Sequence, residues 1–186
     1  MAPTRSRHPE HDYSRGYTLI ELLIVVSIVS VLAAISAPAF QDTIEATTTN
    51  SQVKVMLTTL NLARSEAIKR GQDVAICASE DGTDCDADAW SEGWIVFVDN
   101  NGDADGTSGS VDGGDEIIRV YDSLGAGSTM TFTADLYAYN NLGFSATGGN
   151  HTFLLCPASG NAANARSIDL GPSGRGRRVE DGLACP

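Results

Sequence analysis

The sequence has little that could support catalysis or a structural metal site. It contains three histidines in 186 residues, and its four cysteines do not follow a zinc-ligand spacing. It has no nucleophile elbow and no glycine-rich phosphate loop that opens a helix. His151 stands alone in a glycine-rich stretch, where we expect a histidine at the surface or at a strand edge. We therefore expect a protein that is not an enzyme and that has no resident cofactor.

Basic residues are also scarce, and they are unevenly placed along the chain. There are 12 Lys and Arg against 24 Asp and Glu, which gives a formal net charge of −12. Between Asp73 and Asp122 there are 14 acidic residues and one basic residue, Arg119. From Ser123 onward, four acidic residues are matched by four arginines. The acidic total argues against general affinity for nucleic acid, but it leaves room for a local basic patch.

One apolar run dominates the first quarter of the chain. From Leu22 to Ile35 no residue is charged, and the uncharged stretch continues to Phe40. Its length is close to the ~20 residues that an α-helix needs to cross a bilayer core. Three arginines precede it, which predicts a single-pass inner-membrane protein with its carboxyl-terminal domain in the periplasm. A secretory signal peptide cut among the small residues at 33–37 is the alternative.

The residues that open this run carry a specific motif. Gly16-Tyr17-Thr18-Leu19-Ile20-Glu21 resembles the type IV prepilin signature, with Tyr where Phe is usual. The resemblance implies that a prepilin peptidase cleaves between Gly16 and Tyr17 and that the new amino terminus is methylated. It also implies that Glu21 and Pro38 are assembly positions and that the partners are other pilins in a filament.

Glu21 also has a physical reason to stand at the entrance of the run. A carboxylate within a membrane span costs about 2.5–3.5 kcal/mol on insertion scales. Cleavage would place an ammonium group on Tyr17, four residues earlier and on the same helix face. The two charges can pair within one subunit or between staggered subunits, so Glu21 favours a packed helix bundle over an isolated helix in lipid.

The rest of the chain predicts a continuing helix and then short strands. Apolar residues recur every three or four positions from Val53 to Ala67, which indicates an amphipathic helix ending near Arg70. We expect an α+β, type IV pilin-like fold, in which a long amino-terminal helix with a transmembrane first half packs on an antiparallel β-sheet domain. The domains are a leader at 1–16, the membrane half of the helix at 17–40 and a periplasmic domain at 41–186. Strands are predicted at 74–77, 93–98, 117–121, 129–133, 152–156 and 167–170.

Three later segments narrow the resemblance to one group. The helix end Arg64–Arg70, the strand Gly93–Asp99 and the Gly-Arg-rich tail resemble the GspH/FimT group of minor pseudopilins of type II secretion and minor pilins of type IV pili. Within the tail, Gly174-Arg175-Gly176-Arg177 resembles the Gly-Arg-x-Arg motif of FimT-type minor pilins. The resemblance implies salt-sensitive, sequence-independent binding of double-stranded DNA for natural transformation. Two further arginines could extend the patch, namely Arg178 and Arg166.

Two interpretations of this tail stay open. Glycines allow a close backbone approach and guanidinium groups pair well with phosphate, which favours DNA binding. However, Glu180 and Asp181 are near enough in sequence to pair with the same arginines. In that case the protein is a structural pseudopilin of the GspH type, or a pilus-priming minor pilin, that works without binding DNA.

The loop that follows the 93–98 strand has a weak resemblance to a calcium site. Asp99, Asn101, Asp103 and Asp105 place oxygen ligands at alternate positions around a glycine turn. Ser110 stands where an EF-hand would have its closing Glu, and the same residue types suit an exposed hairpin loop. A plain loop is the favoured interpretation, and calcium is the alternative.

The four cysteines allow three disulfide pairings. Disulfides persist in an oxidising compartment such as the periplasm. We favour the pairs Cys77–Cys85 and Cys156–Cys185, because the second pair would tie the arginine tail back to a core strand.

Overall fold

The computed structural model describes residues 16–86, 88, 90–102, 104, 110–112, 114–125 and 127–186, and at 36–39 it describes the backbone alone. The chain divides into two compact units, one ending at Phe40 and the other running from Gln41 to Pro186. Within the described part, one long helix precedes eight strands. The elements are α1 (Leu19–Arg70), β1 (Asp73–Ala78), β2 (Gly93–Asp99), β3 (Glu116–Asp122), β4 (Thr129–Phe132), β5 (Leu136–Tyr139), β6 (His151–Cys156), a 3-10 turn (Ala162–Asn164), β7 (Arg166–Leu170) and β8 (Gly176–Val179).

In the first unit, α1 begins with a capped turn and exposes apolar side chains on all sides. The Thr18 hydroxyl accepts a hydrogen bond from the Glu21 N–H at 3.2 Å, as an N-cap does. The large apolar side chains of residues 19–35 are 53–81% exposed. The hydroxyls of Ser27 and Ser30 donate to backbone carbonyls three and four residues earlier, so they bring no unpaired polar group to the surface. By length and composition, this part of α1 qualifies as a membrane span.

The second unit combines the remainder of α1 with two four-stranded sheets. The first sheet has the strand order β3-β2-β1-β5, and the second has the order β4-β6-β7-β8. Every strand pair within them is antiparallel. The α+β prediction is therefore confirmed, but the strands are divided between two sheets, where the sequence suggested one. The described structure thus presents four edge strands, of which β3 and β5 close the first sheet and β4 and β8 close the second.

The core of this unit lies between α1 and both sheets. The helix contributes a fully buried stripe with the predicted three- and four-residue spacing, whereas Ile68, which follows Ala67, is half exposed. Trp94 on β2 donates from its indole Nε1 to the Thr59 hydroxyl at 3.3 Å, which fixes the helix on the first sheet. Burial of this stripe removes apolar surface from water, and each Å² removed stabilises the fold by about 25 cal/mol. The buried stripe is Val53, Met56, Leu60, Ala63 and Ala67.

The first sheet is covered on both of its faces. All seven residues of β2 are buried, which explains why its sequence is continuously apolar where a half-exposed strand would alternate. The face turned away from α1 carries a second cluster, packed under loop residues that include Cys85, Val111 and Ala146. The buried members of that cluster are Ala75, Cys77, Ile95, Phe97, Ala104, Leu136 and Ala138.

Both disulfides are the pairs favoured from the sequence. The Cys77–Cys85 bond ties β1 to the loop that covers the second cluster. The Cys156–Cys185 bond ties the carboxyl-terminal end of the chain to the last residue of β6. The chain beyond β8 is therefore anchored to the second sheet.

Two strands were not predicted from the sequence, and both position the arginine tail. β5 is a four-residue strand that is buried throughout, and β8 begins inside the Gly-Arg motif. The two strands meet through Tyr139 of β5, whose hydroxyl donates to the Gly174 carbonyl at 3.0 Å. Burial raises the pKa of this hydroxyl, so it stays protonated and able to donate.

Gly174 is required by the backbone and by this contact. Its φ is +70°, in the left-handed region that favours glycine. A Cβ at this position would lie 2.7 Å from Cε1 of Tyr139 and 2.8 Å from the carbonyl oxygen of Gly143. The first glycine of the motif therefore holds the tail against β5, and its backbone is buried.

We predict that Gly174→Ala is more destabilising than Gly160→Ala. Gly160 has the same φ of +70°, but nothing lies within 4 Å of its added Cβ. Its substitution should cost only the about 1–2 kcal/mol that a residue with a Cβ loses in the left-handed backbone conformation. Gly174→Ala should add an overpacking cost of about 1–3 kcal/mol. Urea unfolding followed by tryptophan fluorescence measures both, since Trp90 and Trp94 are buried in the core. Equal losses for the two variants would contradict the packing role.

Candidate nucleic-acid interface

The arginine tail forms an edge strand and the turn that leads into it. β8 pairs with β7 in the register Leu170↔Gly176, Asp169↔Arg177, Ile168↔Arg178 and Ser167↔Val179. Successive residues of a strand point to opposite faces of its sheet. Adjacent arginines at 177 and 178 must therefore face opposite ways, which the motif in the sequence could not show.

Arg178 and Arg166 are turned toward α1, where they share one acceptor. Arg178 donates from Nη2 to the Asn50 side-chain oxygen at 2.5 Å, and Arg166 donates from Nε to the same oxygen at 3.2 Å. Arg178 also forms a 2.8 Å ion pair with Glu180. Arg166 donates further to the carbonyls of residues 163 and 165. These two guanidinium groups bind the tail to the helix, and we leave them out of the proposed interface.

Arg175 and Arg177 are exposed on the other side of the tail. The Arg177 side chain is 78% exposed, and Arg175 is exposed as well. Within the part of the chain that the structure describes, Arg175 has no side-chain hydrogen-bond or ion-pair partner, so its guanidinium group is free to bind an anion. Gly176, between them, is also exposed on the backbone, and a Cβ there would meet Leu57 Cδ2 at 3.1 Å.

The two exposed arginines border an open groove of about 500 Å³. A row of cross-strand contacts runs along it, because Arg177, Asp169 and Thr152 lie opposite one another on β8, β7 and β6. Arg177 Nη2 lies 3.3 Å from Asp169 Oδ2, and the Thr152 hydroxyl donates to Asp169 Oδ1 at 3.1 Å. The groove therefore offers two cationic groups and one carboxylate. Its lining is Asn150, His151, Thr152, Asp169, Leu170, Gly171, Arg175 and Arg177.

His151 borders this groove at the start of β6, in the position expected from the sequence. Its Nε2 lies 2.6 Å from the Gly148 carbonyl oxygen, which accepts only, so Nε2 carries the hydrogen. Its ring packs beside Phe132, with the ring centroids 5.6 Å apart. These contacts give His151 a structural role in holding the wall of the groove.

Four side chains of the acidic stretch lie beside the far edge of the first sheet. An open pocket of about 300 Å³ beside β3 is lined by the acidic side chains of Glu80, Asp81, Glu92 and Asp122. β3 and β5 are the two opposite edges of the first sheet, and β5 is the edge that meets Gly174 before β8. These four carboxylates are thus separated from the exposed arginines across the first sheet, and the carboxylate beside Arg177 is that of Asp169.

The loop at Asp99 is organised by its own backbone. The Asp99 carboxylate is buried and accepts hydrogen bonds from the N–H groups of Gly102 and Ala104 at 2.6 and 3.0 Å. Asn101 donates to Asp112 Oδ2 at 2.6 Å. Among the described residues no cluster of three or more acidic, histidine or cysteine ligands could hold a metal ion. Asp103 and Asp105 lie outside the described residues, so the calcium site stays a prediction.

At the amino-terminal end, Tyr17 lies two residues before α1 and lines a pocket together with Glu21, Leu22 and Val25. Tyr17 and Glu21 are therefore neighbours, as the four-residue spacing predicted. The leader residues 1–15 lie outside the described part of the chain. Pro38 lies within the helical span, but its side chain is not described. Cleavage, methylation and the assembly roles of these positions stay predictions.

Several residues of the site were not foreseen in these roles. Asn50, Thr152, Asp169 and Tyr139 act through partners that lie 8 to 128 positions away in the sequence. The sequence predicts Asp169 within a strand, but only the strand register brings it opposite Arg177. Nothing in the sequence marks Asn50 as a partner of the arginines, because a polar residue in a helix can equally well face solvent.

Two family models match the chain. The model described as "Type II transport protein GspH" matches residues 52–174, and the model of the prokaryotic N-terminal methylation motif matches residues 12–37. The GspH match ends at Gly174, so Arg175 to Arg178 lie beyond it.

The curated relatives are fimbrial proteins, and the alignment with this chain covers only part of each of them. A fimbrial protein of Pseudomonas aeruginosa is 38% identical over 72 residues, which is 39% of this chain and 46% of the relative. One from Moraxella nonliquefaciens is 36% identical over 98 residues, which is 50% of this chain and 60% of the relative. The chain thus spans about half the length of the curated relatives it matches.

Two solved structures share the fold. The type IV minor pilin FimU of P. aeruginosa aligns with a TM-score of 0.55 at 21% identity, covering 73% of this chain and 91% of FimU. The minor pseudopilin EpsH from the type 2 secretion system of Vibrio cholerae aligns with a TM-score of 0.50 at 14% identity, covering 73% of this chain and 98% of EpsH. At these identities the likeness shows the fold alone, and it confirms the pilin-like α+β prediction. Because the GspH model spans more than half of the chain, the chain belongs to the GspH family of pilin-like proteins.

Proposed function

We propose that this protein is a minor pilin or pseudopilin that holds extracellular DNA through Arg175 and Arg177. The observation that carries the proposal is the division of the four arginines at positions 166, 175, 177 and 178. Two are bound to Asn50 inside the fold, and two are exposed beside an open groove. The exposed pair is accessible to an anion, whereas the other two guanidinium groups are bound within the fold. The DNA would be held for uptake in natural transformation.

Assembly would proceed through the first unit. The proposed sequence of events is insertion in the inner membrane, cleavage by a prepilin peptidase after Gly16, methylation of Tyr17 and entry into a filament of other pilins. The N-terminal methylation motif and the exposed apolar helix support this order. An apolar surface of that extent needs lipid or neighbouring helices around it. Glu21 would then pair with an amino terminus in the assembled bundle.

DNA binding is supported by charge and exposure. Exposed guanidinium groups form paired hydrogen bonds with phosphate oxygens without reading the base sequence. The acidic pocket lies at the far edge of the first sheet, so its repulsion would orient the domain with β8 toward the polyanion. With two phosphate contacts in one subunit, affinity would be modest, and repeated subunits would add to it.

The second candidate is a purely structural subunit of a type II secretion pseudopilus or of a pilus tip. The description of the matching family and the fold shared with EpsH favour it. The ion pair between Arg177 and Asp169 also shows that one exposed arginine has an internal partner. An exposed ion pair of this kind contributes about 0–1 kcal/mol, which gives little structural reason for either arginine.

We predict that Arg175→Gln/Arg177→Gln abolishes most DNA binding by the full chain in detergent micelles. Each of the two substitutions should lower affinity about tenfold, since hydrogen bonds to charged groups are worth about 1.5–3 kcal/mol. The slope of log K against log salt should fall by about two. Arg119→Gln on β3 is the matched control for each single substitution, because it removes one positive charge at the acidic edge. Fluorescence anisotropy with a labelled duplex measures all three proteins.

Two results would reject the DNA role. The wild-type chain could fail to bind duplex at low salt, which would leave the structural candidate. Alternatively, Arg119→Gln could lower affinity as much as Arg175→Gln or Arg177→Gln alone, which would show that net charge explains the loss.

We further predict that Asp169→Asn strengthens DNA binding. The Asp169 carboxylate competes with phosphate for Arg177, and two unit charges about 4 Å apart in water interact by about 1 kcal/mol. Removing it should raise affinity about threefold to fivefold, as 1.4 kcal/mol is a factor of ten. The Asn side-chain oxygen can still accept from Thr152. Asp122→Asn at the far edge is the control for net charge. An unchanged or lower affinity in Asp169→Asn would show that the carboxylate does not compete.

A further inference from the structure

An exposed aromatic ring lies next to the arginine turn. Phe144 is 50% exposed, although Phe97 and Phe153 of the same unit are fully buried. It belongs to the loop between β5 and β6, whose neighbour Leu142 is 69% exposed. Two large apolar side chains are thus exposed on one short loop, and adjacent exposed apolar residues are a candidate binding surface.

The loop that carries Phe144 is rigid. The Phe144 N–H donates to the Asn140 side-chain oxygen at 3.0 Å, and its carbonyl accepts from the Asn140 N–H at 2.9 Å. Ser145 forms a bridge with Tyr139, and the next residue donates to the Ala138 carbonyl at 2.8 Å. The backbone that carries the ring is therefore held on a hydrogen-bonded turn.

The same loop is joined to the turn that leads to Arg175. The Ser145 N–H donates to the Pro172 carbonyl at 3.1 Å. On the other side of Phe144, the Gly143 carbonyl oxygen packs against Gly174 so closely that an added Cβ would lie 2.8 Å away. Both sequence neighbours of the ring thus contact the Gly171–Gly174 turn, directly before Arg175.

We propose that Phe144 stacks on an unpaired base of single-stranded DNA whose phosphates lie on Arg175 and Arg177, an inference that rests on the proposed DNA role. Aromatic rings combined with cations are how proteins bind single strands without reading sequence, because every base has a flat apolar face. In a duplex those faces are stacked inside the helix and a side chain cannot reach them. Charge complementarity selects DNA over an apolar protein helix, since the turn that contacts this loop leads directly to Arg175.

The arginines and the aromatic ring would then have different roles in one binding patch. Arg175 and Arg177 bind any DNA, whether single or double. Phe144 adds affinity for single strands alone, so the patch holds a frayed end or a displaced strand more tightly than an intact duplex with the same number of phosphates.

The test compares Phe144→Ala with three probes, using the full chain in detergent micelles and fluorescence anisotropy. The probes are a labelled single-stranded oligothymidine, a blunt duplex of the same length and an abasic strand of that length. Stacking is worth about 1–3 kcal/mol per base on alanine substitution, so affinity for the oligothymidine should fall about fivefold or more. Affinity for the duplex and for the abasic strand should change less than twofold. Phe144→Trp should bind the oligothymidine as tightly as the wild type.

Leu142→Ala is the matched control, because it removes an exposed apolar side chain from the same loop without removing a ring. An equal loss in Leu142→Ala, or an equal loss on all three probes in Phe144→Ala, overturns the inference, since either would indicate a general change in the loop. If the wild type binds every probe and Phe144→Ala binds as well, the stacking role is rejected and the arginine role stands. If the wild type binds no probe, the proposed DNA role itself fails.

Discussion

The side-chain oxygen of Asn50 accepts hydrogen bonds from both Arg166 and Arg178, and the display of charge on this protein depends on that shared contact. A partly buried guanidinium needs an acceptor, because an unpaired buried charge costs several kcal/mol. With Arg178 committed to the helix, strand alternation turns Arg177 to the opposite side. One polar residue in the middle of α1 therefore decides which arginines bind within the fold and which face solvent.

The sequence was sufficient for the features that are local. The membrane-length apolar run, the helix stripe and the continuously apolar strand β2 each carry their own signal, and the disulfide pairs followed from tying the tail to a core strand. β5 and β8 carry no such signal. Leu136-Tyr137-Ala138-Tyr139 is buried throughout and does not alternate, and Gly176-Arg177-Arg178-Val179 has the composition of a loop. The roles of Arg166, Arg178 and Gly174 depend on Asn50 and Tyr139, which are remote in sequence, so the motif alone could not divide the arginines.

The two sheets place the exposed arginines and the acidic pocket at different edges of the molecule. β3, with the acidic pocket beside it, and β5, which adjoins the arginine turn, are opposite edges of one sheet, and the second sheet contributes β8. The disulfide from Cys156 to Cys185 and the packing of Gly174 on Tyr139 keep the tail in place against the core. A family fold that supports assembly thus carries a separate, solvent-facing edge, and the family match ends where that edge begins.

The most direct test of this account is to measure stability and DNA affinity together in the Arg178→Gln variant. The account predicts that the free energy of unfolding falls by about 1–3 kcal/mol, because the variant cannot form the charged hydrogen bond to Asn50. The folded variant should bind duplex DNA within about threefold of the wild type, which is less than one phosphate contact is worth. An affinity loss of tenfold or more with unchanged stability would contradict it, because Arg178 would then be a ligand for DNA and Asn50 would not divide the arginines.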